Sequence, residues 1–298
     1  MVVPMKNPVL GLLGAPAIIV AVFGLYTLLH STSITASPYV LVPLPAPIAT
    51  TTNNRTATSS NAVAIGPLIN QPQALVAYLE ITKGCRLAVG DSCARAYREA
   101  TTSAAVQASL RIGTVLAVKN TITTDTGEVW HEIHFPETLR YSDRLSLPWF
   151  VPTTAGTIIR TAAPADLVSN TATTSKRIVV DRGDQILYAY EGNELVRMLT
   201  ISTGRELTPT PRGTFTIFRK TPSRYMQGPI AGISENYYDL PGVPWNLYFT
   251  KQGAVIHGAY WHDDFGNQHS NGCVNLDPIE ARELYDWTEL GTTVTVQD

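Results

Sequence analysis

The sequence predicts a mostly-β protein: a C-terminal β-sandwich or barrel domain with one helix, a smaller accessory domain before it, and an N-terminal transmembrane segment. Three observations predict this. Strand-like runs recur from residue 176 to the end, where only one segment carries helix signals. Two stretches rich in Pro, Thr, Ser, Asn and Ala, residues 37–70 and 161–175, divide the chain. An uncharged run from Val9 to Leu29 opens it.

The N-terminal run comes first. At roughly 1.5 Å per residue it matches the ~30 Å apolar core of a bilayer. Lys6 is the only charge before it, which places the N-terminus in the cytoplasm and the rest outside. Residues 1–36 therefore read as a signal-anchor or a signal peptide. Cleavage would follow Ala36, but Ile34 is bulky for that pattern, so the anchor is preferred. The expected location is extracytoplasmic, membrane-anchored, or secreted if the segment is removed. Gly11, Gly14, Pro16 and Gly24 would weaken a soluble helix here. A net charge of −2 with 15% charged residues gives no sign of a polyanion partner, so nucleic acid is not an expected partner.

Residues 37–70 hold no lasting period and read as a linker or stalk. The accessory domain is assigned to residues 71–160, α+β or SH3-like, helical first and then β-rich. "QPQALVAYLEITKG" fits a short helix with Leu75, Val76 and Leu79 on one side, and "DSCARAYREA" fits a second. Cys85 and Cys93 bracket the turn between them and read as a local disulfide outside the cytoplasm. "SLRIGTVLAVKNTI", "TGEVWHEIHF" and "LSLPWFVP" follow as strands. Residues 161–175 are a second linker.

The domain from 176 to 298 is the most regular part. Strands are expected over 177–181, 185–190 and 194–202, with Gly192-Asn193 as a hairpin turn. "GTFTIFRK" and "NLYFTKQGAVIHG" supply three more, and "GTTVTV" closes the chain. "DPIEARELYDWTEL" is the helix, with Asp277 able to cap it and Pro278 suited to its first turn.

"HSNGCVNL" carries Cys273, the last of three cysteines. Cysteine catalysis needs a thiolate, a base and oxyanion donors. His257 ends the strand "GAVIH" sixteen residues earlier and can face a loop cysteine across a cleft. The N–H groups of Gly272 and Cys273 are candidates for the oxyanion hole. On residues alone, a buried thiol, a metal ligand and a disulfide partner stay open. His257, His262, Asp263, Asp264, His269 and Cys273 are crowded together, without the paired spacing of common zinc sites.

Several ordered blocks in the last 120 or so residues resemble the catalytic domain of the L,D-transpeptidases, the YkuD-type fold. "IVVDRGDQILYAYEGNELVRMLTISTG" resembles that family's opening strands, and "TPTPRGTFTI" its Thr-Pro-x-Gly-x-[Phe/Tyr] turn. "YYDLPGVPWNLYFT" resembles the segment lining its cleft. "IHG" followed by "HSNGCVNL" resembles its pairing of a histidine with Ser/Thr-His-Gly-Cys-x-[Asn/Arg]. The resemblance implies Cys273 as the acylated nucleophile and His257 as the base. Ser270, Gly272, Asn275 and Gly258 match signature positions around them. Asn271 stands where the family usually has histidine. Asparagine still donates and accepts hydrogen bonds but carries no charge, so activity is expected to survive. Tyr237, Tyr238 and Trp245 read as core or cleft-wall aromatics, with family position favouring the substrate cleft, and Trp261 either shapes the acceptor side or packs its loop. The implied substrates are peptidoglycan stem peptides, and the implied cofactor set is none. The implied reaction is cross-linking through a Cys thioester. Its rivals are an L,D-carboxypeptidase with water as acceptor and an inactive wall-binding protein.

Overall fold

The structure is a computed structural model, and it describes residues 75–90, 92–166, 174–232 and 234–298. The apolar run Val9–Leu29 and the stretch 37–70 lie outside these. Among the described residues no helix is long and apolar enough to cross a membrane.

The first sheet is antiparallel and holds β1 (Leu75–Ile81), β2 (Ala94–Tyr97), β3 (Val106–Leu110), β4 (Val115–Thr123), β5 (Val129–His134), β6 (Trp149–Pro152) and β7 (Gly156–Ala162). Their spatial order is β3-β2-β6-β5-β4-β1-β7. The two expected helices are corrected here: "LVAYLEI" is β1, and "ARAY" is β2. The reason is double-sided burial. β1 lies between β4 and β7. Its Tyr78 enters the core of the C-terminal region, while Leu79 and Ile81 enter the core of the first sheet. A strand covered on both faces loses the alternation that marks a half-buried one, and its short apolar run mimics a helix. Cys85 and Cys93 are bonded in the connection between β1 and β2, with their Cα atoms 4.4 Å apart.

The remaining elements are β8 (Ala165–Asp166), β9 (Lys176–Asp181), β10 (Ile186–Glu191), β11 (Glu194–Thr200), β12 (Gly213–Thr216), β13 (Arg219–Ile230), β14 (Ser234–Tyr248), β15 (Val255–Gly258), β16 (Val274–Leu276), α1 (Pro278–Trp287) and β17 (Thr293–Gln297). They form two five-stranded sheets, β11-β10-β9-β17-β12 and β16-β15-β14-β13-β8. The stretch read as a linker from residue 161 is thus partly strand, since β7 ends at Ala162 and β8 pairs with β13. Gly192-Asn193 does turn β10 into β11, with Glu191 opposite Glu194.

One core joins these parts. Ile178, Val180 and Leu187 of one sheet meet Leu247, Ile256 and Val274 of the other, with Ala281 and Leu284 of α1. Tyr78, Val115 and Ala117 of the first sheet belong to the same cluster. Polar ties reinforce it: Ser223 Oγ donates to Val115 O at 2.6 Å, and Arg282 pairs with Glu80 at 3.1 Å. The described residues fall within a single compact unit. α1 starts where Asp277 accepts the Ile279 N–H at 2.9 Å, a cap worth about 1 kcal/mol.

Candidate active site

β15 and β16 run parallel, with Ile256 opposite Val274 and His257 opposite Asn275. Side chains alternate across a strand. Ile256, Val274 and Leu276 therefore point into the core. His257 and Asn275 point to the other face, as does Val255. Cys273 directly precedes β16, and its Sγ accepts a hydrogen bond from the Val255 N–H. The thiol and the imidazole so share one face, two residues apart along the ladder.

The histidine is prepared to accept a proton. Its Nδ1 lies 3.0 Å from Gly258 O, and a carbonyl only accepts, so Nδ1 carries the hydrogen. Nε2 then bears the lone pair, and it is buried without a hydrogen-bond partner among the described residues. Burial lowers the His257 pKa from 6.5 to about 4, and the Arg224 and His262 charges also lower it. The ring is neutral at physiological pH. Burial likewise raises the Cys273 thiol, against a smaller opposing effect of Arg224. The resting pair is thiol and neutral imidazole, with the Cys273 S–H directed to Gly253 O at 3.8 Å.

The loop before the cysteine is braced from both sides. Ser270 Oγ donates to Cys273 O at 2.6 Å and accepts the Gly272 N–H at 3.1 Å. Gly272 has φ +108°, a conformation L side chains rarely adopt, which explains glycine there. Because Ser270 takes its N–H, Gly272 does not offer the oxyanion donor expected of it. Ser202 and Asn275 exchange two backbone bonds of 2.9 Å, and Thr210 Oγ1 donates to Cys273 O. The Ser-Thr-Gly and Thr-Pro blocks are therefore the walls that hold the cysteine loop.

Asn275 Nδ2 lies 2.9 Å from His262 Nε2. His262 Nδ1 accepts the Asp264 N–H, so its Nε2 carries the hydrogen. A good bond thus requires the Asn275 amide to turn its oxygen toward His262. Asn271 is half-buried and makes no hydrogen bond to a described residue.

The four aromatics separate. Trp261 is beside His257, with ring centroids 5.7 Å apart. Tyr238 is half-buried and feels the Cys273 charge, after burial itself, as an upward push on its phenol. Tyr237 is 69% exposed and stacks on Arg144. Trp245 is corrected from cleft to core: strand alternation puts it with Leu247, and it packs on Tyr285 of α1 at 5.4 Å. Among the described residues no three His, Cys, Asp or Glu side chains are arranged to hold a metal ion.

Sequence reasoning missed Arg224. It follows Ser223 in β13, opposite Val243 of β14, with no periodic or motif signal around it. Arg212, the arginine of the Thr-Pro turn, instead pairs with Asp298 at the surface.

Residues 175–296 match the family model described as the L,D-transpeptidase catalytic domain. YkuD of Bacillus licheniformis, assigned by name to the L,D-transpeptidases, is 30% identical over 132 residues, 43% of this chain and 70% of that protein. L,D-transpeptidase 2 of Mycobacterium tuberculosis is 29% identical over 123 residues, 39% of this chain but only 29% of that protein's length. Among solved structures, an L,D-transpeptidase from Mycobacterium smegmatis aligns with TM-score 0.40 and 23% identity. It covers 57% of this chain and 91% of its own.

Proposed function

The chain belongs to the L,D-transpeptidase family of YkuD type, and from that premise we propose that it cross-links peptidoglycan stem peptides through a thioester on Cys273. The observation that carries this reading is the His257 tautomer. Nδ1 is committed to Gly258 O, which leaves a buried, unpartnered Nε2 on the face that bears the thiol.

In the first half-reaction His257 Nε2 takes the Cys273 proton as Sγ attacks the carbonyl of an L-centre next to the terminal D-residue. The C–S bond forms and the C–N bond breaks. The proton passes from the imidazolium to the departing amine. In the second half-reaction an amine of a neighbouring stem loses its proton to His257 and displaces the thiolate, which takes that proton back as the Cys273 thiol, giving the cross-link. The Cys273 N–H is the remaining backbone donor for the oxyanion, since Ser270 holds that of Gly272. Trp261 and Tyr238 flank the reacting pair and would shape the cleft. Work outside the cytoplasm, anchored through Val9–Leu29, agrees with this substrate, as does the Cys85–Cys93 disulfide.

Intact mass measured after exposure to a tetrapeptide stem tests the reading. An adduct lighter than the stem by the leaving D-residue is expected on the natural chain and not on Cys273→Ala. A natural chain that never acylates would end it. A joined dimer among the products, rather than only a shortened monomer, identifies the acceptor as an amine.

A further inference from the structure

Arg224 is the one strong charge set against the nucleophile and base, and no described group neutralises it. The side chain is half-buried, its Nη1 is buried without a hydrogen-bond partner, and it forms no ion pair with a described residue. Its only ring contact among the described residues is with Tyr248, at 5.4 Å. Its place follows from the sheet. The next residue, Tyr225, packs into the first sheet's core against Phe135 and Trp149, so Arg224 takes the opposite face of β13. Tyr248 beneath it pairs with Val255, whose N–H meets Cys273 Sγ. Its charge is felt by Cys273, His257 and Tyr238.

A guanidinium N–H buried without an acceptor has lost its hydration with nothing gained in return. Here that loss is not offset within the protein. The cation also makes His257 a weaker base, so assistance to the base does not explain it. What a planar, unpaired guanidinium at a cleft matches is a carboxylate, held bidentately.

Resting on the function proposed above, we infer that Arg224 binds the free C-terminal carboxylate of the donor peptide, the carboxylate of the D-residue that is expelled. With the scissile carbonyl at Cys273 Sγ, that carboxylate sits only three bonds beyond the reacting carbon. It is the donor's anionic group nearest the thiol, and so the one an arginine facing the thiol meets. Arg224 thereby selects stems that end at the leaving residue over stems extended or capped there.

The test uses the full-length chain as Cys273→Ala in detergent, with calorimetric binding of a tetrapeptide stem and of its C-terminal carboxamide. The acid is expected to bind about tenfold or more tightly than the amide, the size of one charge-assisted pair. Arg224→Gln should bring the two within about twofold by weakening the acid alone, and Arg224→Lys should restore part of the difference. Equal affinity for acid and amide, no binding of the acid, or parallel loss of both in Arg224→Gln overturns the inference. If Arg224→Gln does not fold, the acid-to-amide ratio of the Arg224-containing chain still decides. The two proposals fail separately. An adduct on Cys273 with no acid preference removes only the role of Arg224. An acid preference lost in Arg224→Gln, with no adduct ever formed, removes only the thioester chemistry.

Discussion

At the scale of single residues, one hydrogen bond decides the chemistry of His257. With Nδ1–H held by Gly258 O, protonating Nε2 creates a cation in a buried pocket beside Arg224. The base is therefore neutral and competent at any pH well above about 4, its lowered pKa. The acid limb of kcat/KM for Cys273 acylation is expected near pH 4, rather than near the 6.5 of a solvated imidazole. His257→Gln should slow acylation by about 10²–10⁴-fold and abolish that limb. Acylation followed by mass from pH 3.5 to 8 checks both, and a limb near 6.5 would show that the ring is not buried as described. Asn271 belongs to the same scale. Its side chain bonds to no described residue, while the lone pair able to take a proton lies on His257 Nε2.

Elements explain what could and could not be read beforehand. The β10–β11 hairpin and α1 were legible because each has a local cause, a Gly-Asn turn and an Asp-Pro start. That Cys273 and His257 would share one face was legible because both sit in short, ordered motifs. β1 was not, because both its faces are buried. Arg224 was not, because its placement lies in strand pairing β13-β14-β15 and in an Nη1 without a partner among the described residues, neither of which a linear pattern carries. The long β13–β14 hairpin shows a second non-local cause. The segment after β5 clamps it: Tyr141 and Gln227 exchange bonds of 2.9 and 3.0 Å, Tyr141 Oη donates to Pro229 O, and Arg144 Nη1 donates to Gly228 O at 2.6 Å. Arg144 also sits between the Tyr141 and Tyr237 rings and faces Asp239 at 3.8 Å. Tyr238 lies on this hairpin, across Gly228, where any side chain would collide with its ring. Arg144→Ala should loosen the hairpin by about 1–3 kcal/mol, the range for a hydrogen bond to a charged donor. Faster amide exchange over 226–239 with the β9–β10 amides unchanged is the expected result. Uniform acceleration everywhere would mean that Arg144 serves global stability instead.

For the whole molecule, the same burial that tunes the site sets the acid limit of the fold. His257 and His262 both have pKa values lowered by burial from 6.5 to about 4, and burial lowers His131 as well. Around His257 the charged and titratable neighbours are Arg224, His262 and Cys273. Around His262 they are His269, Asp263, Asp264 and Arg205. Between pH 6.5 and about 4 the unfolded chain binds these protons and the folded chain does not. Stability is thus whole above pH 6.5, falls as pH drops toward 4, and loses nothing more to these groups below that. For the fully buried His257 the drop from 6.5 to about 4 amounts to roughly 3 kcal/mol. Carboxylates with lowered pKa, Glu132, Asp264 and Glu289, lose their contribution only further down, so the upper window belongs to the histidines. Urea midpoints at pH 7.5 and 4.5 should therefore move apart more for the natural chain than for His257→Gln. Glutamine removes the titration but keeps a hydrogen-bond donor for Gly258 O. Parallel losses in the two would place the acid sensitivity elsewhere. A smaller loss in the variant would mean that the buried His257 ring makes the folded protein vulnerable to acid.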